Sequence, residues 1–196
     1  MNSPQLNSEE KNIAQKLAEK YNYLLYIVER YIDFLGIEET KELLIANESK
    51  LTPSIRVNEL KISPETLKKR LELKGFKFQH IDFIPYSFYI LKEPYNLGSS
   101  HEFLQGYYYL QDVASMIPPI ILNPNYDEIV IDMAAAPGSK ATQLAQIMKN
   151  KGKLMLIEKD PIRIPSLEFN LRRLGVQNSI ILNLDSNKLS TIQIKA

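Results

Sequence analysis

Asp132-Met133-Ala134-Ala135-Ala136-Pro137-Gly138-Ser139-Lys140 is the stretch on which the reading of this chain turns. It leaves a buried strand, Glu128 to Met133, and enters a helix, Lys140 to Asn150. Small side chains in such a loop let a ligand approach the backbone, and the unpaired N–H groups of the helix's first turn suit a carboxylate or a phosphate. Downstream the alternation continues, with strand Lys153 to Glu158, helix Pro161 to Leu174 and strand Ser179 to Leu184. This β-α-β-α-β order predicts half of a doubly wound parallel sheet, hence an α/β class.

The strand ends carry the next signal. In doubly wound folds an acid at the end of the second strand, about 20 residues past the loop, holds the ribose hydroxyls of a nucleoside cofactor. Glu158 stands there, and Asp185, past the third strand, can accept a hydrogen bond from an adenine amino group. A Walker phosphate loop needs Gly-Lys-Ser/Thr, whereas Gly138 is followed by Ser139 and Lys140 by Ala141. The dinucleotide fingerprint needs three glycines, and only Gly138 is present. A cofactor with an adenosine and no phosphates fits, and S-adenosylmethionine is one. The plainer alternative is a tight strand-to-helix connection with Glu158 and Asp185 as solvated strand ends.

Upstream of the loop the pattern is different. Ser8 reads as an N-cap, with a first apolar stripe at Ile13, Ala14, Leu17, Ala18 and Tyr21. A second, Leu24, Leu25, Val28, Ile32 and Leu35, ends at Gly36, and a short helix follows over Glu39 to Asn47. Strand character over Ile55 to Leu60 precedes a helix capped by Ser63 and Pro64, then strands at Phe76 to Ile84 and Ser87 to Leu91. A helix over Ala114 to Leu122 follows.

The 196 residues carry 24 Lys+Arg against 23 Asp+Glu, which excludes a uniformly basic polyanion binder. Positive charge is local: the window Lys50 to Lys77 holds eight basic and three acidic residues, including Lys68, Lys69, Arg70 and Lys74. The absence of cysteine excludes a disulfide scaffold, a thiolate metal site and a thiol nucleophile within these residues. His80 and His101 have no partner pattern for metal or acid–base work and read as structural. With no secretion signal or apolar span, the sequence predicts a cytoplasmic protein with neither membrane nor metal among its partners.

On these residues the chain resembles the Sun/Fmu-type RNA cytosine-5 methyltransferases, and within them the archaeal tRNA enzymes. The carriers are Arg56-Val57-Asn58; Gly106-Tyr107-Tyr108 with Gln111-Asp112 and Ala114-Ser115-Met116; the Asp132 to Lys140 string; and Asn170-Leu171-Arg172-Arg173-Leu174-Gly175. The resemblance implies N-terminal helices over 1–48, a small α+β RNA-recognition-like domain over 49–95, a linker and helix over 96–127, and the first half of a Rossmann-like class I methyltransferase domain over 128–196. It implies that Ala134, Ala135, Ala136, Pro137, Gly138, Ser139 and Lys140 line the methionine end of S-adenosylmethionine. Glu158 would hold the ribose, Arg163 would lie beside it and Asp185 would meet the adenine. RNA, tRNA in particular, is the implied partner, with Lys68, Lys69, Arg70 and Lys74 on phosphates, although on charge alone an ordinary solvated helix face accounts for them equally well. Tyr107, Tyr108 and Tyr109 could stack on bases, but read chiefly as packing the linker against the catalytic domain.

The family's chemistry uses a cysteine thiolate that adds to C6 of cytosine and makes C5 nucleophilic. No catalytic residue can be assigned among these residues, so the expectation is a chain inactive alone, with a first strand left unpaired on one side and room for a second chain to complete the domain. The alternative is a non-catalytic RNA-binding or partner-binding module that keeps the fold.

Overall fold

The computed structural model describes residues 6–191, and the chain divides into two compact units, Met1–Leu51 and Thr52–Ala196. The first unit is three helices, α1 (Ser8–Tyr21), α2 (Leu25–Leu35) and α3 (Ile37–Glu48). Ala14, Leu17, Ala18, Val28, Ile32 and Leu44 form its core. Asn7, not Ser8, caps α1. Its side-chain oxygen accepts from the N–H groups of Glu9 and Glu10 while Glu10 reaches back to the Asn7 N–H, a reciprocal box that Ser8 is one residue too late to make. The α2 stripe is also narrower than its sequence suggests. Leu24, Leu25 and Leu35 are exposed, because within a three-helix unit only the Val28 and Ile32 line of α2 is enclosed by the other two helices.

The second unit begins with an antiparallel sheet in the order β2-β3-β1-β4. Its strands are β1 (Ser54–Val57), β2 (Lys77–His80), β3 (Ser87–Lys92) and β4 (Tyr108–Leu110). Helix α4 (Pro64–Glu72) starts at Ser63, whose hydroxyl accepts from Thr66 N–H, with Pro64 in the first turn as expected. Leu67 and Leu71, both fully buried, press α4 against Ile55, Val57, Phe76, Phe78 and Phe88. Each such leucine contributes about 2 kcal/mol by leaving water. Two of the predicted strands are shorter in the structure, since Asn58 turns the chain after Val57 and an Ile81–Ile84 turn ends β2 at His80, whereas β3 runs one residue further than expected, to Lys92. Strand β4 lies in the stretch read from sequence as linker. Tyr108 and Tyr109 pair with Val57 and Arg56 in its ladder, so that stretch supplies the fourth strand of the sheet.

After the short helix α5 (His101–Leu104), α6 (Val113–Leu122) runs through Pro118 and Pro119. Pro119 cannot donate to the Ser115 carbonyl, and the Gln111 side-chain amide takes that place at 3.1 Å. Three parallel strands follow in the order β5-β6-β7: β5 (Ile129–Asp132), β6 (Lys153–Glu158) and β7 (Ser179–Asn183). Helices α7 (Ser139–Ile147) and α8 (Ile164–Leu174) connect them, and Ala141, Leu144, Ala145, Met148, Leu167 and Leu171 pack on Val130, Leu154 and Leu156. Among the described residues β5 pairs with β6 alone.

Candidate cofactor site

The parallel register brings the carboxyl ends of β5, β6 and β7 to one edge, with Asp132 level with Leu156 and Glu158 level with Asn183. The Ala-rich loop folds across the end of β6. Ala135 N–H donates to the Ile157 carbonyl at 2.9 Å, and Ala136 N–H donates to Glu158 Oε2 at 3.2 Å. The other oxygen, Oε1, accepts from Asp160 N–H at 3.0 Å. Glu158 is only 4% exposed, yet these donors keep it charged. The Asp160 N–H, then the Ala136 N–H and Arg163, hold its carboxyl below the ordinary glutamate range against the opposing effect of burial. An ionised carboxylate has about four lone-pair sites, and with the Asp160, Ala136 and Lys159 N–H groups on it acceptor capacity remains for a ribose hydroxyl.

Gly138 permits the turn into α7. Its φ is +101°, and a β-carbon there would meet Leu167 Cδ1 at 2.9 Å. Ala135, Ala136 and Gly138 are buried, whereas Ala134, Pro137 and Lys140 are exposed and Ser139 is half-buried. Ser139 and Lys140 open α7, whose first-turn N–H groups have no partner within the helix. Asp132 accepts from Ala134 N–H at 3.1 Å, and burial pushes its carboxyl pKa up.

Arg163 approaches the site from the turn before α8. Its Nη1 is 3.7 Å from Glu158 Oε2, and its Nη2 donates to the Ala136 carbonyl. Asp185, past β7, is held by a neighbour the sequence reading did not consider: Lys159 Nζ lies 2.8 Å from Oδ2, and the Asn187 N–H donates to Oδ1. The Lys159 hydrogen bond lowers the Asp185 pKa. The loop, Glu158 and Arg163 are thus in mutual contact, and Asp185 joins them through Lys159.

The basic residues lie elsewhere. Lys68, Lys69 and Arg70 are on α4, Lys68 being 3.8 Å from Glu72 and Arg70 lying over the Tyr107 ring. Lys74 is drawn onto Glu102, with its Nζ 2.6 Å and 2.7 Å from the two oxygens. His80 bonds the Pro85 carbonyl at 3.1 Å. Among the described residues no three His, Asp or Glu side chains could share a metal ion, and no helix is long and apolar enough to cross a membrane.

Residues quoted from sequence without a role prove to be the seam between the two sheets of this unit. Arg56, fully buried on β1, donates to Gln111 at 2.9 Å, Gln146 at 2.9 Å and Thr142 at 2.7 Å. Burial lowers its pKa to about 10. Asn58 donates to the carbonyls of Gly106 and Leu174, both at 2.8 Å. Arg173 donates to the carbonyls of Phe103 and Tyr108, its guanidinium 3.9 Å from the centre of the Phe103 ring. The buried Tyr108 hydroxyl donates to the Leu97 carbonyl at 2.7 Å, and its ring packs in the core of the antiparallel sheet. The signal available in sequence was a polar residue inside an apolar strand, as at Arg56.

Two family models match the chain: 16S rRNA methyltransferase RsmB/F over residues 119–195, and the N-terminal domain of 16S rRNA methyltransferase RsmF over residues 26–113. The chain belongs to the Sun/Fmu family of RNA cytosine-5 methyltransferases. It is similar to the ribosomal RNA small subunit methyltransferase F of Shewanella oneidensis, with 40% identity over 74% of this chain and 31% of that protein. Against the 25S rRNA (cytosine-C(5))-methyltransferase nop2 of Schizosaccharomyces pombe the identity is 31%, over 86% of this chain and 28% of that one. The crystal structure of NSun6 from Pyrococcus horikoshii with SFG superposes with a TM-score of 0.79 at 25% identity, over 85% of this chain and 67% of that one. The chain spans about a third of the length of the curated Sun/Fmu relatives it matches.

Proposed function

We propose that this chain binds S-adenosylmethionine along the carboxyl edge of β5-β6-β7 and serves the transfer of its methyl group to carbon 5 of an RNA cytosine. The observation that carries the reading is Glu158: a buried, charged carboxylate at the end of the second parallel strand, with lone pairs to spare beside a loop of small residues. The cofactor supplies an electrophilic methyl group. Glu158 accepts the ribose hydroxyls, the open N–H groups at the start of α7 receive the methionine carboxylate, and Asp185 accepts from the adenine amino group beside Lys159. The NSun6 structure with SFG, an S-adenosylmethionine analogue, supports the choice of cofactor.

RNA is the substrate class, and the exposed Lys69 and Arg70 with the half-buried Lys68 on α4 are its phosphate contacts, Lys74 being committed to Glu102. The tRNA reading rests on sequence resemblance, whereas the relatives' names favour ribosomal RNA. No thiol lies among these 196 residues, so they contribute cofactor and RNA binding and not the nucleophile.

Isothermal titration with S-adenosylmethionine tests the site. Wild type should bind, and Glu158→Ala and Asp185→Ala should each weaken binding at least tenfold. Equal affinity in all three proteins would overturn the assignment.

A further inference from the structure

Every backbone carbonyl from Ala136 to Ser139 is taken by a group of this chain. Arg163 takes Ala136, the Asn170 side-chain amide takes Pro137 at 2.9 Å, and Thr142 N–H takes Gly138 at 2.9 Å. The Ser139 carbonyl accepts from Thr142 Oγ1 at 3.1 Å and, more distantly, from Arg56 Nη2 at 3.5 Å. The Ala136–Pro137 bond is cis, but the Pro137–Gly138 and Ser139–Lys140 units are trans and planar, so in each the N–H points opposite to the carbonyl before it. Asn170 on Pro137 therefore sets the direction of the Gly138 N–H, and Thr142 on Ser139 that of the Lys140 N–H, each opposite to the carbonyl that is held.

The two holding groups are themselves held, Thr142 from β1 of the antiparallel sheet and Asn170 by Arg173 of its own helix and by Tyr109 on β4. Arg56 Nη2 donates to Thr142 Oγ1 at 2.7 Å, which leaves the hydroxyl's single hydrogen for the Ser139 carbonyl. Arg173 Nη2 donates to Asn170 Oδ1 at 3.1 Å, and the Asn170 amide also lies 3.4 Å from the Tyr109 hydroxyl on β4. With its oxygen claimed by a cation, Asn170 presents its NH2 to Pro137.

We infer that Asn170 and the Arg56–Thr142 pair are positioning residues for the cofactor loop, orienting the Gly138 and Lys140 N–H groups for the carboxylate of the ligand, so that the antiparallel sheet is a working part of the cofactor site. The inference rests on the functional reading above and goes beyond it by assigning residues that do not touch the ligand. It separates the two ends of the cofactor: the loop N–H groups meet the methionine carboxylate, whereas Glu158 and Asp185 meet the nucleoside.

The test is titration of the full chain and of its Asn170→Ala and Thr142→Val variants with two ligands, S-adenosylmethionine and 5′-methylthioadenosine, which lacks the amino-acid carboxylate. Each variant should lose about tenfold in affinity for S-adenosylmethionine while its affinity for methylthioadenosine stays within twofold of wild type. Amide NMR spectra of the free proteins give a second readout: the Gly138 resonance should move in Asn170→Ala and the Lys140 resonance in Thr142→Val. Parallel losses for both ligands would mark a general structural role and overturn the inference, as would no loss for either. Where one variant does not fold, the other decides. A wild type that binds neither ligand would instead overturn the cofactor reading, and this inference with it.

Discussion

Two arginines of the same unit carry their charge into opposite surroundings. Arg56, in the seam between the sheets, is wholly buried and meets neutral acceptors: two glutamine side chains, a threonine hydroxyl and a carbonyl. Arg163, at the edge of the parallel sheet, keeps half its side chain in water and faces the Glu158 carboxylate. In the seam the charge is spread over dipoles of fixed direction, and a planar guanidinium with five donors sets several of them at once. That environment makes rigid geometry and leaves no capacity for a ligand. At the edge, carboxylates are ionised but incompletely bonded, the condition for receiving hydroxyls and amines from outside. One region holds the loop, and the other is where we propose that the cofactor binds.

The sharpest way to break the comparison is to force the seam apart. Gly106 lies at φ +73°, and a β-carbon there would sit 1.8 Å from the Arg173 carbonyl oxygen on α8. Gly106→Ala should cost about 4 kcal/mol or more, since backbone on both sides must shift. Thermal unfolding followed by circular dichroism checks this, and a loss under about 1 kcal/mol would mean that the seam tolerates opening. Arg56→Met comes next, with a loss of about 3 kcal/mol in urea unfolding, because it strands the buried acceptors on Gln111, Thr142 and Gln146. Arg163→Met at the wet edge should cost less than about 1 kcal/mol.

A further prediction sharpens the edge side of the contrast through pH. The folded-state pKa of Glu158 lies below its ordinary value of 4.5, so the unfolded chain takes up the proton first as pH falls. The stability that Glu158 contributes is complete above pH 4.5 and is lost as pH drops through its lower folded value. Wild type should therefore destabilise more steeply than Glu158→Gln below pH 4.5, as read from unfolding midpoints across an acid series. The smallest effect on folding belongs to the Lys68/Lys69/Arg70 alanine triple, within about 0.5 kcal/mol. In a salt-dependent RNA gel-shift assay the same triple should bind more weakly, and its log–log salt slope should fall by roughly 2. An unchanged slope would remove α4 from the RNA face.

The legibility of these regions in sequence follows their physics. Strand β6 runs from Lys153 to Glu158 in both reading and structure, because a buried parallel strand is a continuous apolar run with sharp polar ends. The carboxylates at strand ends were legible for the same reason: chain order fixes which residue emerges from the sheet. Strand β4 was missed because three residues, Tyr108–Leu110, carry too little alternation to register, and only the β1 ladder makes them a strand. The Lys159 contact to Asp185 was invisible because the two residues are 26 positions apart and meet only when β6 and β7 lie side by side.

The sequence by itself determined the period of the longer elements, the small-residue loop between β5 and α7, the acids at the ends of the parallel strands and the lack of a thiol, all properties of neighbours along the chain. Only the tertiary structure decided what Arg56, Asn58, Gly106, Asn170 and Arg173 do. Their partners lie tens of residues away, and a hydrogen bond or a close backbone approach acts over a few ångströms. Which carbonyl Asn170 holds, and hence which way the Gly138 N–H points, is set by the packing of α8 against the loop.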